Sequence, residues 1–303
     1  MSKSGFFLVK IVRKIKTNHE NRTRPAIVRS KAGNVFLFLI LLVMAAFMLL
    51  PFVYAVMQSL KPMEEIFLFP PRFFVKRPSF DNYRSLGMLA DNLAVPFARY
   101  IFNSIFITAV GTVGTVVLSS MAAFPFAKYK FPGSKVMFSM VTLALLFVGT
   151  VNSVPQYLIM AKLGMINTYW ALLGPALASP LGLFLLTNFM GQLSNSIIEA
   201  ASIDGAGIIR TWWNIVMPNV KPAILTLIIL CFQSLWSLTG SIFIYDEKLK
   251  MLPTILSQIS TSGIARTGAA AASSVIMLIP PIVFFVITQS RVLETYSFAG
   301  IKE

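Results

Sequence analysis

Six apolar stretches of the chain are each about as long as a membrane-spanning helix and contain no Asp, Glu, Lys, Arg or His in their interiors. Over the whole chain, 56% of the residues are hydrophobic and only 12% are charged, whereas a soluble domain is about 45–50% apolar. The sequence therefore predicts an all-helical, multi-pass membrane protein. The predicted spans are 33–60, 100–124, 136–158, 170–189, 223–240 and 268–289.

The distribution of positive charge predicts the orientation of these spans. Residues 1–32 carry nine Lys or Arg against one acidic residue, Glu20. Because positively charged segments stay on the cytoplasmic side, this tail and, after six spans, the tail 290–303 should both be cytoplasmic, with residues 33–289 forming the membrane domain. The first apolar run is too long for a signal-peptide core, so we expect an uncleaved span. Lys128, Lys130 and Lys135 support this orientation, although six basic residues between 61 and 99 weaken it.

Charge and motif content exclude several function classes. The net charge of +15 gathers in the N-terminal tail and at span ends, where topology and membrane lipid explain it better than nucleic acid does. Cys231 is the single cysteine and His19 lies in the tail, so we expect no disulfide and no metal site. The sequence has no GxxxxGK[ST] phosphate loop, GxSxG elbow or HExxH helix, so no catalytic residue is assigned. Uncharged spans also disfavour an ion-coupled transporter.

The connection 190–220 is too apolar to be an ordinary solvated loop. Ser196 and Glu199 have the spacing of a capping box, which predicts a short helix beginning near Ile197, and Gly205 or Gly207 can end it. The second half of the connection then carries apolar side chains that include two tryptophans: Ile208, Ile209, Trp212, Trp213, Ile215 and Val216. We expect this segment to lie between its own membrane bundle and a partner protein.

The spacing within this connection resembles the EAA loop of the membrane subunits of binding-protein-dependent ATP-binding-cassette importers. The matching residues are Glu199, Ala200, Ala201, Gly205, Ile215, Met217 and Pro218, and Met217 stands where leucine is usual. The resemblance implies a MetI-like permease fold and a loop that docks on a cytoplasmic ATPase. The residues it assigns to this coupling are Glu199, Ala200, Ala201, Asp204, Gly205 and Pro218. It also implies that ATP and Mg²⁺ are bound by the ATPase and that this chain holds no cofactor.

Looser motifs over residues 95–303 resemble the carbohydrate-uptake branch of these importers. They are Asn103-Ser104, Ala122-Ala123-Phe124 and residues 126–135 and 164–175, and the ending 298–303 is similar to that of permeases for plant or algal polysaccharide fragments. The resemblance implies an oligosaccharide permease in a bacterial cell membrane, with a homologous sister subunit, an ATPase dimer and an extracellular solute-binding protein as partners. An importer for an amino acid or phosphate is the main alternative. An autonomous channel or secondary transporter and a membrane-embedded enzyme remain open but disfavoured.

Polar and aromatic side chains in the predicted spans are candidates for a sugar path, because hydroxyl groups need hydrogen bonds and ring C–H faces need flat apolar surfaces. The candidates are Phe232, Gln233, Trp236 and Ser237 in the fifth span and Asn152 and Gln156 near the end of the third. Trp236 is somewhat better explained as an interfacial anchor, and Gln233 is equally well explained as an interhelical hydrogen-bonding residue.

Two further patterns concern packing within the membrane. Gly111, Thr115, Ser119 and Ala123 recur every four residues, which predicts a face on which another helix packs closely. Pro280-Pro281 should bend the sixth span, either as a fixed kink or as a hinge. Between the fifth and sixth spans we expect an outer loop that extends through Arg266.

Overall fold

The computed structural model describes residues 31–91, 94–147, 149–240, 242–261, 263 and 266–299, and over these residues the chain forms helices and connections without a strand. The basic tail predicted over 1–32 lies almost entirely outside the described residues. In chain order the helices are α1 (Lys31–Ser59), α2 (Met63–Ile66), α3 (Asp81–Asp91), α4 (Phe97–Lys128), α5 (Ser134–Ala144), α6 (Gly149–Lys162), α7 (Trp170–Leu177), α8 (Pro180–Gly191), α9 (Asn195–Ile203), α10 (Ile208–Asn219), α11 (Lys221–Trp236), α12 (Leu252–Thr261) and α13 (Thr267–Ala299).

Four of the described helical segments are long and apolar enough to cross a membrane, and a fifth is counted if α10 and α11, which meet at 83°, form one span. The four are residues Gly33–Ser59 of α1, all of α4, α7 with α8, and Thr267–Thr288 of α13. The predicted third span is not one helix, because α5 ends at Ala144 and α6 begins at Gly149. The structure thus supports an all-helical membrane protein with four or five spans.

By its contacts the chain divides into two units, residues 1–53 and residues 54–303. The first unit contains most of α1, and the side chains in the apolar segment of this helix, Gly33–Ser59, are largely exposed. The second unit contains all the other helices and the buried core, so the candidate functional residues belong to it.

Helix α4 is central to the second unit, where it packs against α7, α8, α11 and α12. The predicted packing face is confirmed, since Gly111, Thr115, Ser119 and Ala123 are all buried. A Cβ atom at Gly111 would lie 2.6 Å from Leu235 Cδ1 of α11. Small side chains on α4 therefore allow α11 to approach its backbone, as expected for closely packed membrane helices.

The connection between the fifth and sixth predicted spans contains a buried helix, where the sequence predicted only a loop. In α12 the buried side chains include Leu252, Ile255, Leu256 and Ile259, which share one face, and this helix packs against α4 and α13. Helix α13 continues through Pro280-Pro281 and runs on to Ala299, beyond the predicted end of the span at residue 289.

Candidate coupling loop and solute path

Helix α9 carries the Glu-Ala-Ala sequence and begins two residues earlier than predicted. Its N-cap is Ser194, whose Oγ accepts a hydrogen bond from the backbone N–H of Ser196 at 3.3 Å. Ser196 lies inside the helix and Glu199 is not at the third helical position, so the predicted capping box is wrong. Serine is a favourable N-cap residue, so Ser194 and Ser196 were both candidates. Ser194 is the N-cap because its backbone is extended, as an N-cap requires.

The C-terminal end of α9 agrees with the sequence prediction. Gly205 follows the C-cap residue Asp204 and has φ of +75°, a left-handed conformation that glycine adopts without strain. The backbone N–H groups of Gly205 and Ala206 donate to the carbonyl oxygens of Ser202 and Ala201, at 3.1 and 2.9 Å. This pair of hydrogen bonds is a Schellman motif, which turns the chain sharply toward α10.

The exposed side chains of α9 and α10 form an apolar surface, which we call the coupling surface: Ile203, Ile208, Ile209 and Trp213. Ile203 is 86% exposed, and Ile208, Ile209 and Trp213 are 64%, 76% and 56% exposed. Next to them, an open cavity of about 910 Å³ is lined by residues 207–210 and 212–214. Glu199 and Ala200 are also exposed, whereas Ala201 is buried against the rest of the chain. Such a surface on one connection is typical of a protein-docking site.

The opposite side of α10 holds the coupling surface onto the bundle. Trp212 packs against the buried cluster that contains Val216 and Val220, and residues 212–216 form a π-helical turn. The indole nitrogen of Trp212 is buried and has no hydrogen-bond partner among the described residues. Helix α10 meets α11 at 83°, so α10 runs across the direction of α11 and does not continue along it.

Lys128 at the C-terminus of α4 fixes the start of the coupling loop. Its Nζ donates to the carbonyl oxygens of Gly191 and Leu193 and to Asn195 Oδ1, the last at 3.1 Å. A cation at the end of α8 also interacts favourably with that helix's exposed carbonyl groups. From the sequence, Lys128 was used only as a positive charge that indicates the orientation of the spans. Its position in the sequence does not predict this contact.

The four candidate path residues of the fifth span separate onto two faces of α11. Phe232 and Trp236 face α13: Phe232 stacks on Phe284 with ring centroids 3.9 Å apart, and Trp236 is only 5% exposed. Gln233 and Ser237 are exposed on another face, and Ser237 Oγ donates to the backbone oxygen of Gln233 at 2.8 Å.

The other two candidates, Asn152 and Gln156, lie in α6 and are exposed and half-buried, respectively. Among the described residues, neither side chain forms a hydrogen bond to one of the α11 candidates. A role in the solute path stays a prediction for all six residues.

Asn103, one of the motif residues, holds the connection between α11 and α12 in place. Its Nδ2 donates to the backbone oxygens of Lys248 and Lys250, at 2.9 and 2.8 Å, and its Oδ1 accepts from the hydroxyl of Tyr169 at 2.8 Å. Ser104 extends this contact, since its Oγ accepts from the backbone N–H of Leu252 at 2.8 Å. Residues that are distant in sequence are thus joined around the N-terminal half of α4.

Asn167 anchors the preceding part of the same connection. Its Oδ1 accepts from the backbone N–H groups of Tyr245 and Asp246, at 3.0 and 2.7 Å, while its own backbone has φ of +61°. The hydroxyl groups of Tyr157 and Tyr245 lie 3.1 Å apart, and this hydrogen bond raises the pKa of Tyr245. Within the described part of the chain, no group of three His, Cys, Asp or Glu side chains could hold a metal ion.

Several long apolar helices that pack against one another place the chain in the class of multi-pass membrane proteins. No protein-family model matches the chain. Protein LplC of Bacillus subtilis is 31% identical over 242 residues, which cover 76% of this chain and 78% of LplC. The polygalacturonan/rhamnogalacturonan transport system permease protein YtcP of the same organism is 27% identical over 240 residues, 76% of this chain and 79% of YtcP.

A solved structure has the same fold. It is a chain of a bacterial ABC transporter involved in the import of the acidic polysaccharide alginate, with a TM-score of 0.72 and 22% identity over 86% of this chain and 98% of that one. The chain belongs to the carbohydrate-uptake family of permease subunits of ATP-binding-cassette importers.

Proposed function

We propose that this chain is one of two permease subunits of a bacterial cell-membrane importer for an oligosaccharide released from a polysaccharide. The names of the similar proteins support this substrate class, since they include a permease for polygalacturonan and rhamnogalacturonan and an importer of alginate. A homologous sister subunit completes the path, and an extracellular solute-binding protein delivers the sugar. Both termini of the chain are cytoplasmic.

The observation that carries the proposal is the coupling surface. Ile203, Ile208, Ile209 and Trp213 are each more than half exposed on one connection, and a contiguous exposed apolar patch is typical of a site that a partner covers. The partner is a cytoplasmic ATPase dimer, which holds ATP and Mg²⁺. Glu199 and Ala200 lie on the exposed side of α9, where the small alanine side chain allows close approach.

The contacts of α9 and α10 suggest how motion of the ATPase reaches the membrane. When the ATPase dimer closes around ATP, it displaces α9 and α10 together, because the Schellman motif joins them through a short turn. Lys128 transmits the displacement to α4, and the packing of Trp212 transmits it to the cluster around Val216. Differential binding of the ATPase to two arrangements of the bundle then shifts the population between inward-facing and outward-facing states.

The proposal is tested by reconstituting this chain with its sister subunit, ATPase and solute-binding protein in proteoliposomes. We expect ATP-dependent uptake of labelled oligosaccharide from a panel of oligogalacturonides, alginate oligosaccharides and malto-oligosaccharides. Amino acids and phosphate serve as competing solutes. Uptake of an amino acid or phosphate in place of every sugar would overturn the substrate class. Uptake that persists without ATPase would overturn the assignment to an ATP-driven importer.

A further inference from the structure

A cavity of about 240 Å³ lies between α4, α11 and the break that separates α7 from α8. Three hydroxyl-bearing residues line it, Thr115, Ser179 and Ser234, each from a different one of these elements. Cys231 and apolar side chains complete the lining, among them Leu181 and Leu230. The cavity therefore combines hydroxyl groups with aliphatic walls between helices of the membrane domain.

The break between α7 and α8 is a built feature of the chain. Pro180 has no N–H with which to continue the helical hydrogen bond to the carbonyl oxygen of Ala176. The hydroxyl of Thr115 lies 2.8 Å from that oxygen and 2.7 Å from the carbonyl oxygen of Gly111, and it can donate its one hydrogen to either. Ser179 Oγ accepts from the backbone N–H of Gly182 at 3.0 Å. Helices interrupted in this way inside a membrane are tolerated where the interruption is covered by protein or lines an aqueous cavity.

The face of α11 beside the cavity is unsuited to contact with lipid. Ser234 and Ser237 follow Leu230 at helical spacing, Gln233 is adjacent to them, and all four residues are exposed in this chain. The side chains of Gln233 and Ser234 make no hydrogen bond to other described residues, and polar groups left without partners in hydrocarbon are strongly unfavourable. The other face of α11 is already filled, because Phe232 stacks on Phe284 of α13.

We propose that this cavity is a sugar-ring subsite on the solute path, an inference that rests on the proposed function. A pyranose ring packs its apolar C–H groups against the aliphatic side chains of Leu181 and Leu230, with its hydroxyl groups within reach of Ser234 and Ser179. Gln233 and Ser237 continue the polar lining along α11. Phe232 and Trp236 then act by packing α11 against α13 and do not contact the sugar.

The single thiol of the chain, Cys231, lines the cavity and reports directly on it. In proteoliposomes that contain the whole importer with cysteine-free partner subunits, we expect a charged, water-soluble methanethiosulfonate reagent to modify Cys231. The probe sugar is whichever of an oligogalacturonide, an alginate oligosaccharide or a malto-oligosaccharide the uptake assay shows to be imported. At ten times its dissociation constant this sugar should slow the modification about tenfold, by mass action.

A matched control separates the subsite from lipid-facing positions. Val43→Cys, made with Cys231→Ala, places the thiol on the exposed apolar helix α1, where the charged reagent should fail and a lipid-soluble maleimide should react without protection by sugar. In transport, Ser234→Ala should raise KM by about tenfold, the effect of one lost hydrogen bond, with kcat nearly unchanged. Ser274→Ala is the control, since that hydroxyl bonds to the backbone oxygen of Ala270 in its own helix at 3.0 Å.

Failure of this inference differs from failure of the proposed function. If ATP-dependent sugar uptake is intact while Cys231 reacts only with the lipid-soluble reagent, or is not protected by the imported sugar, the subsite is wrong and the importer stands. Cys231 that is unreactive toward both reagents lies outside the path that the sugar and the reagents can reach, and this also overturns the subsite. An unchanged KM in Ser234→Ala counts against the inference as well. Absence of ATP-dependent sugar uptake overturns the proposed function and the subsite together.

Discussion

The indole nitrogen of Trp236 in α11 donates a hydrogen bond to the backbone carbonyl oxygen of Met277 in α13, at 3.2 Å. Met277 lies four residues before Pro281, whose ring nitrogen carries no hydrogen to complete the helical hydrogen bond to that oxygen. Trp236 therefore supplies the donor that Pro281 lacks. The same contact joins the fifth predicted span to the sixth where α13 contains two consecutive prolines.

This relationship predicts the effect of replacing Trp236 by phenylalanine. The aromatic stacking on Phe232 is retained, but the carbonyl oxygen of Met277 loses its donor inside the protein, and an unsatisfied buried group costs about 1–3 kcal/mol. We expect the unfolding temperature of the complex to fall while the KM for solute is unchanged. Trp170→Phe, at an exposed tryptophan in α7, should leave the unfolding temperature near that of the wild type. A raised KM without thermal destabilisation would instead mean that Trp236 contacts the solute.

A second prediction concerns Glu199, which is exposed on α9 beside the coupling surface. Glu199→Lys reverses one charge without altering the buried core, so the subunit should still insert into the membrane and pair with its sister. We expect loss of ATPase association, or ATP hydrolysis that is no longer linked to uptake, measured by co-purification and by the ratio of ATP hydrolysed to solute imported. Glu199→Gln removes the charge but keeps the side-chain length, and it should give a smaller loss. Full ATP-dependent uptake in Glu199→Lys would contradict the docking role.

A third prediction uses the two glycines that follow α9. Gly205 has φ of +75°, whereas Gly207 has φ of −68°, and an added Cβ meets no atom within 4 Å at either position. Gly205→Ala should therefore act through backbone strain alone, costing about 1–2 kcal/mol at this turn, while Gly207→Ala should be nearly neutral. We expect only the first variant to weaken ATPase co-purification and uptake. Equal behaviour of the two variants would show that the turn geometry does not matter for coupling.

A fourth prediction tests the coupling surface directly through Ile209, which is 76% exposed. Ile209→Asp introduces a charge into an apolar contact, so the desolvation of the carboxylate should greatly reduce ATPase binding. The unfolding temperature of the membrane subunits without bound ATPase should hardly change, because the Ile209 side chain is exposed when the ATPase is not bound. Ile242→Asp alters an isoleucine that is 53% exposed on the connection after α11 and should leave ATPase binding intact. ATPase binding unaffected by Ile209→Asp would place the docking site elsewhere.

The parts of this molecule that could be predicted from sequence are those set by local chemistry. The conformational freedom of glycine predicted that α9 ends at Gly205 or Gly207, and the left-handed turn lies at Gly205. The packing face of α4 follows from small residues repeated every four positions. The N-cap was missed because Ser194 and Ser196 are chemically equivalent, and only the backbone path distinguishes them.

The parts that sequence could not predict depend on neighbours distant in the chain. Residue spacing assigned Phe232 and Trp236 to one face of a helix, but the side of the bundle to which that face points is set by α13. Helix α12 was not predicted because its apolar face is short, and because the charged residues of the same connection indicated an outer loop. Lys128 was interpreted only as a topological signal, because its partners in the coupling loop are more than sixty residues away.

The last prediction concerns Asn103, whose Nδ2 donates to the backbone oxygens of Lys248 and Lys250. Asn103→Asp replaces this donor by a carboxylate oxygen that faces two carbonyl oxygens, and each buried polar group left unsatisfied costs about 1–3 kcal/mol. We expect residues 242–251 to detach from α4, seen as faster proteolysis within this segment and a lower unfolding temperature. Asn188→Asp is the matched control, because that amide is exposed and bonds only to the backbone oxygen of Phe184 in its own helix. If both variants resist proteolysis equally, the connection is held by its apolar contacts with α4 rather than by Asn103.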